Sequence, residues 1–579
     1  MKSKHFSNQC PGANHDVTKA RVQVGRTIGD LSPDLEVSFQ FETSQQRVAR
    51  AKALLDLVSE TEKYNPAALS PQNLAQFFFG IGKLARADAE VEGLVKESPS
   101  QDILKRAMRV ASRQSDSFKP CDIAQTLRGL SFLNCGDSLA GKLLARGVGL
   151  IQSVDHSELL ADTDRAQFRS QDITMMLGAL RKMPESSARD VATFIDESVA
   201  FIERHIESFA MLDRARCARY LRGVERYDAA LWIIREASAD FASTPSKCLG
   251  MFISALRDLG PESKNTALHL IDEIEARLAD NSRADLPIQL GDAVRALGLL
   301  AHLKIHHERY IKTFCARAQT QLGGFSADEL RETIHSLGTL RRGSESFLQV
   351  VGNHISARLE EFSPLEIVSI CWGFAATGMR HDKIRAAAAK ELDGQLVNLR
   401  SDSVAALAWS YALVDDDLSR VVIAECAEAA KDRIFDPHDR RTLHIAEIAV
   451  GLKAPGQCDP EIIKHASEEA AAIGMNEFEH EVYDALKALT VPELQIRPFE
   501  SVEGLTPDFV LTLGDKHFIL ECDGVKYHLT PEGRSRGSDV IHDRIFKRAG
   551  FEVIHILDRE WEGRSQFEQV TLLRMRLGI

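Results

Sequence analysis

Proline is scarce, 18 among 579 residues, and aromatic residues make up only 7%. The first shortage excludes a collagen-like chain, and with Ala and Leu abundant the balance leans to helix. No apolar run approaches the roughly 18 residues a membrane helix needs, so the chain is not expected to span a membrane. The ten cysteines stand apart, the nearest two being Cys121 and Cys135, with no CxxC and no Cys/His cluster at zinc spacing. That excludes a disulfide scaffold. Cysteines inside helical stretches, as in Phe314-Cys315 and Ile370-Cys371, fit small packed hydrophobes in a reducing compartment. Cations are in the minority as well. Lys+Arg 71 against Asp+Glu 84 leaves a net charge of −13. This disfavours a protein that coats nucleic acid by bulk charge, while leaving room for a local basic track.

What is present points to a large folded protein. Hydrophobic residues at 44% and charged ones at 27% are ordinary for a globular chain. At this length several domains or a repeat array are expected rather than one core. Residues 1–45 lack a helical period. They carry Lys2, Lys4, Lys19, Arg21 and Arg26 with the single acid Asp16 among the first 29, as a flexible tail or an organelle targeting segment would.

From 46 to 455 the chain reads as helix after helix, and one segment recurs. An apolar residue is followed six positions later by a small residue and then an apolar one, as in Leu74…Gly80-Ile81 and Ile123…Gly129-Leu130. The ten small residues are Gly80, Gly129, Ala179, Gly223, Ala255, Ala296, Ser336, Gly373, Ser410 and Ala449, and the last five intervals are a regular 37–41 residues. A second amphipathic stretch, such as 347–359, separates the copies, so each unit is a helical hairpin. One hairpin cannot bury its apolar face alone, so neighbours must stack, and a small residue lets the next backbone approach. The predicted fold is an α-solenoid. Arg128, Arg222, Arg295 and His335 occupy the position before the small residue, with Lys83 and Arg257 following nearby. If these share one surface, a basic ladder crosses an acidic protein; otherwise they are solvated helix ends.

After Pro455-Gly456 the pattern changes to a helix over 475–489, strands over 493–499, 508–513 and 516–523, a helix over 538–549 and a strand over 551–557. Gly514-Asp515 is a two-residue hairpin turn. It pairs Leu513 with Lys516, and so sets Asp508 opposite Glu521. Asp523, two residues on, points to the same face. Three converging carboxylates need a proton, a cation or basic neighbours, and Mg²⁺ is the natural hard ion for Asp508 and Glu521. Glu477 and Glu481 on the preceding helix are further candidate ligands. The segment 491–579 carries 12 Lys+Arg against 15 Asp+Glu, so any RNA affinity there must come from clustering.

The repeats around Glu366–Ala375 and Ser403–Tyr411 resemble those of octotricopeptide, heptatricopeptide and FAST-kinase-domain proteins. Pro507-Asp508 with Glu521-x-Asp523 is similar to the PD-(D/E)xK nuclease core. Glu521-Cys-Asp-Gly-Val-Lys-Tyr-His528, with Gly550–Ile554 and Glu560-Trp561, resembles the RAP domain. The resemblance implies a solenoid over 46–455 closed by a small α/β RAP domain of restriction-endonuclease-like fold over 456–579. It implies RNA binding, processing or stabilisation in a mitochondrion or plastid, including work within a ribosome beside ribosomal proteins. Lys526, Tyr527, His528, Arg534, Arg536 and Lys547, with Arg544 and Arg548 nearby, are the expected RNA contacts, joined by Arg128, Arg222 and Arg295 from the repeats. Asp523 stands where the nuclease motif has lysine, so a binding protein is expected rather than an enzyme. The alternatives are a Mg²⁺-dependent endoribonuclease using Asp508, Glu521 and Asp523, with His528 in reserve, and a protein-binding scaffold.

Overall fold

A computed structural model of the chain describes residues 20–28, 42–153, 168–180, 188–280, 287–431, 433–524 and 536–579. It forms two compact units, Met1–Thr266 and Ala267–Ile579. Each recurring segment falls on a helix: α1 Pro71–Ala87, α2 Pro120–Leu133, α3 Ser170–Leu180, α4 Met211–Arg222 and α5 Ser246–Leu256 in the first unit. The second unit holds α6 Leu290–His302, α7 Ala327–Leu340, α8 Pro364–Ala376, α9 Ser401–Ala412 and α10 Pro437–Ala449.

Local sequence starts these helices. Ser326 caps α7 in a reciprocal box with Glu329, and Ser363 does the same for α8 with Glu366, with Pro364 in the first turn where no N–H is missed. Within α8, Ile367, Ile370, Cys371 and Phe374 are buried at helical spacing. In the first unit α1 to α5 pack one on the next, and in the second α6 to α10 do so. A second layer runs beside each stack. Ser98–Arg113 packs on Asp137–Gln152 and that on Ala188–His205; Glu308–Gln319 packs on Glu345–Ser356 and that on Asp382–Leu392. Each unit is therefore a stack of helical hairpins, a helical-repeat architecture.

Nine of the ten small residues are buried. The reason is backbone contact: a Cβ at Gly373 would stand 2.6 Å from the Ile334 carbonyl oxygen, and one at Gly338 would stand 2.6 Å from Gly373 Cα. Gly223 differs and is exposed, because α4 ends at Arg222 and Gly223 serves as its C-cap. The segment read as a tail is also partly ordered. Residues 20–28 are helical with Ile28 buried, Arg21 Nε donates to the Ala67 carbonyl (2.8 Å), and Asn73 Nδ2 donates to the Arg21 carbonyl (3.2 Å). No helix among the described residues is long and apolar enough to cross a membrane.

The C-terminal module begins with α11 Glu477–Ala488. Four strands follow in sheet order, β1 Leu494–Pro498, β2 Phe509–Leu513, β3 Lys516–Asp523 and β4 Glu552–Leu557. The first three are antiparallel neighbours and β3–β4 is parallel, with α12 Gly537–Arg548 in the crossover. The predicted pairing of Leu513 with Lys516 is observed. Phe518, Leu520 and Cys522 of β3 join Ile554 and Ile556 of β4 in a core with Val482 and Leu486 of α11. A final helix, α13 Gln566–Leu577, completes that core with Leu573 and Leu577. Its Ser565-x-x-Glu568 capping box was legible, yet the sequence reading stopped short of it. Strand alternation turns Glu521, Asp523 and His555 to the opposite face, the one beside α12.

That helix is fastened to the repeats. Arg536 is fully buried, and its Nη1 donates to the Arg341 carbonyl (2.5 Å) just past α7. Arg544 donates to the carbonyls of Ala412 and Leu413 at the end of α9 (2.7 and 3.0 Å), and Arg548 Nη2 meets Asp415 at 2.7 Å. Arg536 and Arg544 thus satisfy carbonyls at helix ends that lack an intrahelical partner. Gly537 lies so near the Ala375 carbonyl that any Cβ there would collide with it.

Candidate nucleic-acid interface

The three carboxylates do converge. Asp508 N–H donates to Glu521 Oε2 (3.2 Å), and Cys522 N–H donates to Asp508 Oδ2 (2.6 Å). Burial first, then the charge of Asp508, pushes the Glu521 carboxyl well above its ordinary range, so it holds a proton. Asp523 is buried and meets His555 Nδ1 at 2.6 Å, while His555 Nε2 meets Asp543 Oδ1 at 3.1 Å. Gripped by Asp523 and Asp543, the imidazole is pushed up to about 10 and is cationic at neutral pH. Among the described residues, the His555 imidazolium and the raised pKa of Glu521 supply part of the charge balance that the sequence demanded.

His555 escaped the sequence reading because its neighbours belong to other elements. The parallel register β3–β4 sets it beside Glu521. A period-two pattern in β4 was the available signal, since Ile554 and Ile556 face the core and His555 must face away. The Asp508–Glu521 pair is hydrogen-bonded through the backbone, contacts that a hard cation bridging both carboxylates would have to share. Glu481 is engaged elsewhere. It accepts from Trp561 Nε1 (3.0 Å) on the core face of the sheet.

Glu521 yields a pH-dependent expectation. Its folded-state pKa is raised, so the stability it contributes is full below the ordinary value of about 4.5 and is lost as pH rises through the raised value. Glu521→Gln keeps an acceptor for Asp508 N–H and removes the buried charge. It should raise Tm at pH 8, a gain on the order of 1 kcal/mol, and leave Tm at pH 4 nearly unchanged. Thermal melts across that range decide it; a gain at pH 4 equal to that at pH 8 would contradict the buried proton.

The expected RNA contacts are distributed as follows. Lys526, Tyr527, His528 and Arg534 lie outside the described residues. Arg536 is spent as a buried fastener, since its guanidinium is taken by the Arg341 carbonyl. Lys547 is 61% exposed beside Asp543 (3.5 Å). Arg222 is ion-paired with Asp258, and Arg295 with Asp292. The basic ladder is therefore neutralised at these two rungs by acids from neighbouring turns.

Arg128 belongs to something different. A cavity of about 750 Å³ lies between α8–α10 and the C-terminal module, with Asp508 on one wall and Trp372 and Trp409 on the other, but its charge is mixed. Arg128 lines another cavity, of about 480 Å³, bordered by residues of α1–α4. There Lys83, Arg86, Arg128 and Arg216 gather with Phe132 and Tyr220, and no acidic side chain lines the cavity among the described residues. The guanidinium groups of Arg86 and Arg128 lie 5.0 and 4.7 Å from the Phe132 ring centre, and Arg128 Nη1 donates to the Gly178 carbonyl (2.6 Å). Burial lowers the Arg128 pKa, with Arg86 and Arg216 adding to that and Tyr220 opposing it. Concentrated positive charge beside half-buried aromatic rings is a chemistry that receives phosphates and stacked bases. The signal was legible as cation–aromatic pairs four residues apart, Arg128/Phe132 and Arg216/Tyr220, which share a helix face.

No family model matches the chain, and a search of curated proteins returned no match.

Proposed function

We propose that this protein binds single-stranded RNA and acts in organellar RNA metabolism without cleaving its ligand. The observation that carries the binding is the cavity of Lys83, Arg86, Arg128 and Arg216 with its aromatic rings, which no acidic side chain lines among the described residues, Arg216 also pairing with Asp213 (3.7 Å). Phosphates neutralised by such a cluster release counterions, so affinity should fall steeply with salt. The organellar role, in binding, maturing or stabilising mitochondrial or plastid RNA, free or within a ribosome, rests on the resemblance of Glu521–His528 and the repeats to RAP-domain proteins. The non-catalytic reading rests on Asp523 standing where the nuclease motif has lysine, and on the proton and imidazolium that occupy the acidic cluster.

The test is anisotropy of labelled single-stranded RNA against salt concentration. A Lys83→Ala, Arg86→Ala, Arg216→Ala variant, which spares the packed Arg128, should bind more weakly and lose about 0.7 of the log–log slope per phosphate contact removed. Arg222→Ala and Arg295→Ala should change the slope little. An unchanged slope in the triple variant would leave the cavity without an RNA role. Metal-dependent cleavage that disappears in an Asp508→Ala, Glu521→Ala variant would replace the non-catalytic reading with a nuclease.

A further inference from the structure

We propose that His444, Cys458 and Glu503 form a zinc site that joins the last repeat helix to the C-terminal module. Three elements supply the donors: His444 lies on α10, Cys458 in the connection that follows it, and Glu503 in the turn before β2. One donor atom from each residue lies within 4.8 Å of the other two, and His444 Nε2 is 3.7 Å from Glu503 Oε2. Tetrahedral zinc, with bonds of about 2.0–2.3 Å, sets its donors roughly 3.3–3.6 Å apart, a small side-chain adjustment from this arrangement.

The second, independent observation is an unmet need. The His444 and Glu503 side chains are 4% and 8% exposed, and neither His444 Nε2 nor Glu503 Oε2 has a hydrogen-bond partner. Two buried polar atoms facing each other across a gap too wide for a hydrogen bond are costly unless something lies between them. The other Glu503 oxygen accepts from Gly456 N–H, which orients the carboxylate toward His444. The backbone is also held for this purpose. Glu503 itself adopts a left-handed φ of 54°, rare for a residue with a Cβ, in a tight turn closed by the Val502–Leu505 bridge.

The donor chemistry selects the ion. Thiolate, imidazole and one carboxylate suit zinc, whereas Mg²⁺ and Ca²⁺ take oxygen alone. Cys458 would bind as the thiolate and His444 through a lone pair of its neutral ring. Zinc binding would form a Zn–S bond and release the thiol proton to solvent, and a fourth position would remain for water. Sequence spacing hid the site, because its ligands come from three elements rather than one knuckle.

The full-length chain, stripped with a chelator and titrated with Zn²⁺ alone, is expected to retain one zinc per chain after dialysis. Co²⁺ in its place should give a thiolate charge-transfer band that Cys458→Ser abolishes and Cys135→Ser leaves intact. His444→Gln and Glu503→Gln should each weaken zinc binding by more than the roughly 10–100-fold that loss of a merely supporting group costs. Because the titration and the cobalt spectrum are read on the unmutated chain, misfolding of a variant does not protect the proposal. A wild-type chain that retains no zinc, or a cobalt band that survives Cys458→Ser in folded protein, overturns it.

Discussion

Replacing His555 with Gln is expected to cost about 1–3 kcal/mol at pH 7, less than breaking a fully buried ion pair from one side, because the ring is 29% exposed. Gln leaves Asp523 and Asp543 facing one another beside Glu521, without the imidazolium that joins them. The pH dependence has a definite sign. His555 has a folded-state pKa near 10 against an ordinary 6.5, so the stability it adds is full below about pH 6.5 and fades as pH climbs through 10. Urea denaturation at pH 7 and pH 10 should therefore show the gap between wild type and variant shrinking at the higher pH. His555→Lys, a cation on the same strand face, should recover part of the loss at pH 7. A constant gap across that range would mean the ring acts by packing and not by charge.

Two glycines should respond to substitution with opposite signs. Gly373→Leu places its side chain against the Ile334 carbonyl, 2.6 Å from where the first carbon must sit, a backbone group that cannot rotate away, with Ile334 Cγ2 at 2.7 Å. A loss of about 1–3 kcal/mol is expected, with Gly373→Ala already destabilising. Gly93 is exposed in the Ala89–Lys96 helix with nothing within 4 Å of its missing Cβ, so Gly93→Ala should add about 0.5–1 kcal/mol through helix propensity. Thermal melts of the two single variants check both. Equal effects at the two positions would remove close approach as the reason for the repeat's small residue.

The repeat was legible because its cause is local and periodic. A helix must offer one face to its neighbour, so the spacing of Ile367, Ile370, Cys371 and Phe374 announces the buried side, and Gly373 marks where that neighbour arrives. The hairpin was legible for the same reason, since a two-residue turn sets a register that pairs Leu513 with Lys516. Bounds drifted by one or two residues at strand and helix ends, where capping and not periodicity decides. Gly223 failed its expected role because α4 stops one residue before it.

Sequence alone therefore determined most of the elements, the repeat, the hairpin register and the convergence of Asp508, Glu521 and Asp523, all of which follow from periods of 3.6 and 2 and from one turn. Only the tertiary structure decided what the charged residues do. Arg128, Arg222, Arg295 and Arg536 are the same side chain in similar surroundings along the chain. Yet one lines a cavity without acidic side chains among the described residues, two are ion-paired and one is buried against a carbonyl. The same holds for His555 and for His444, Cys458 and Glu503, whose partners come from distant elements. A charge interacts through space with whatever the fold brings within a few ångströms, and that neighbour is not encoded in the spacing of the residues beside it.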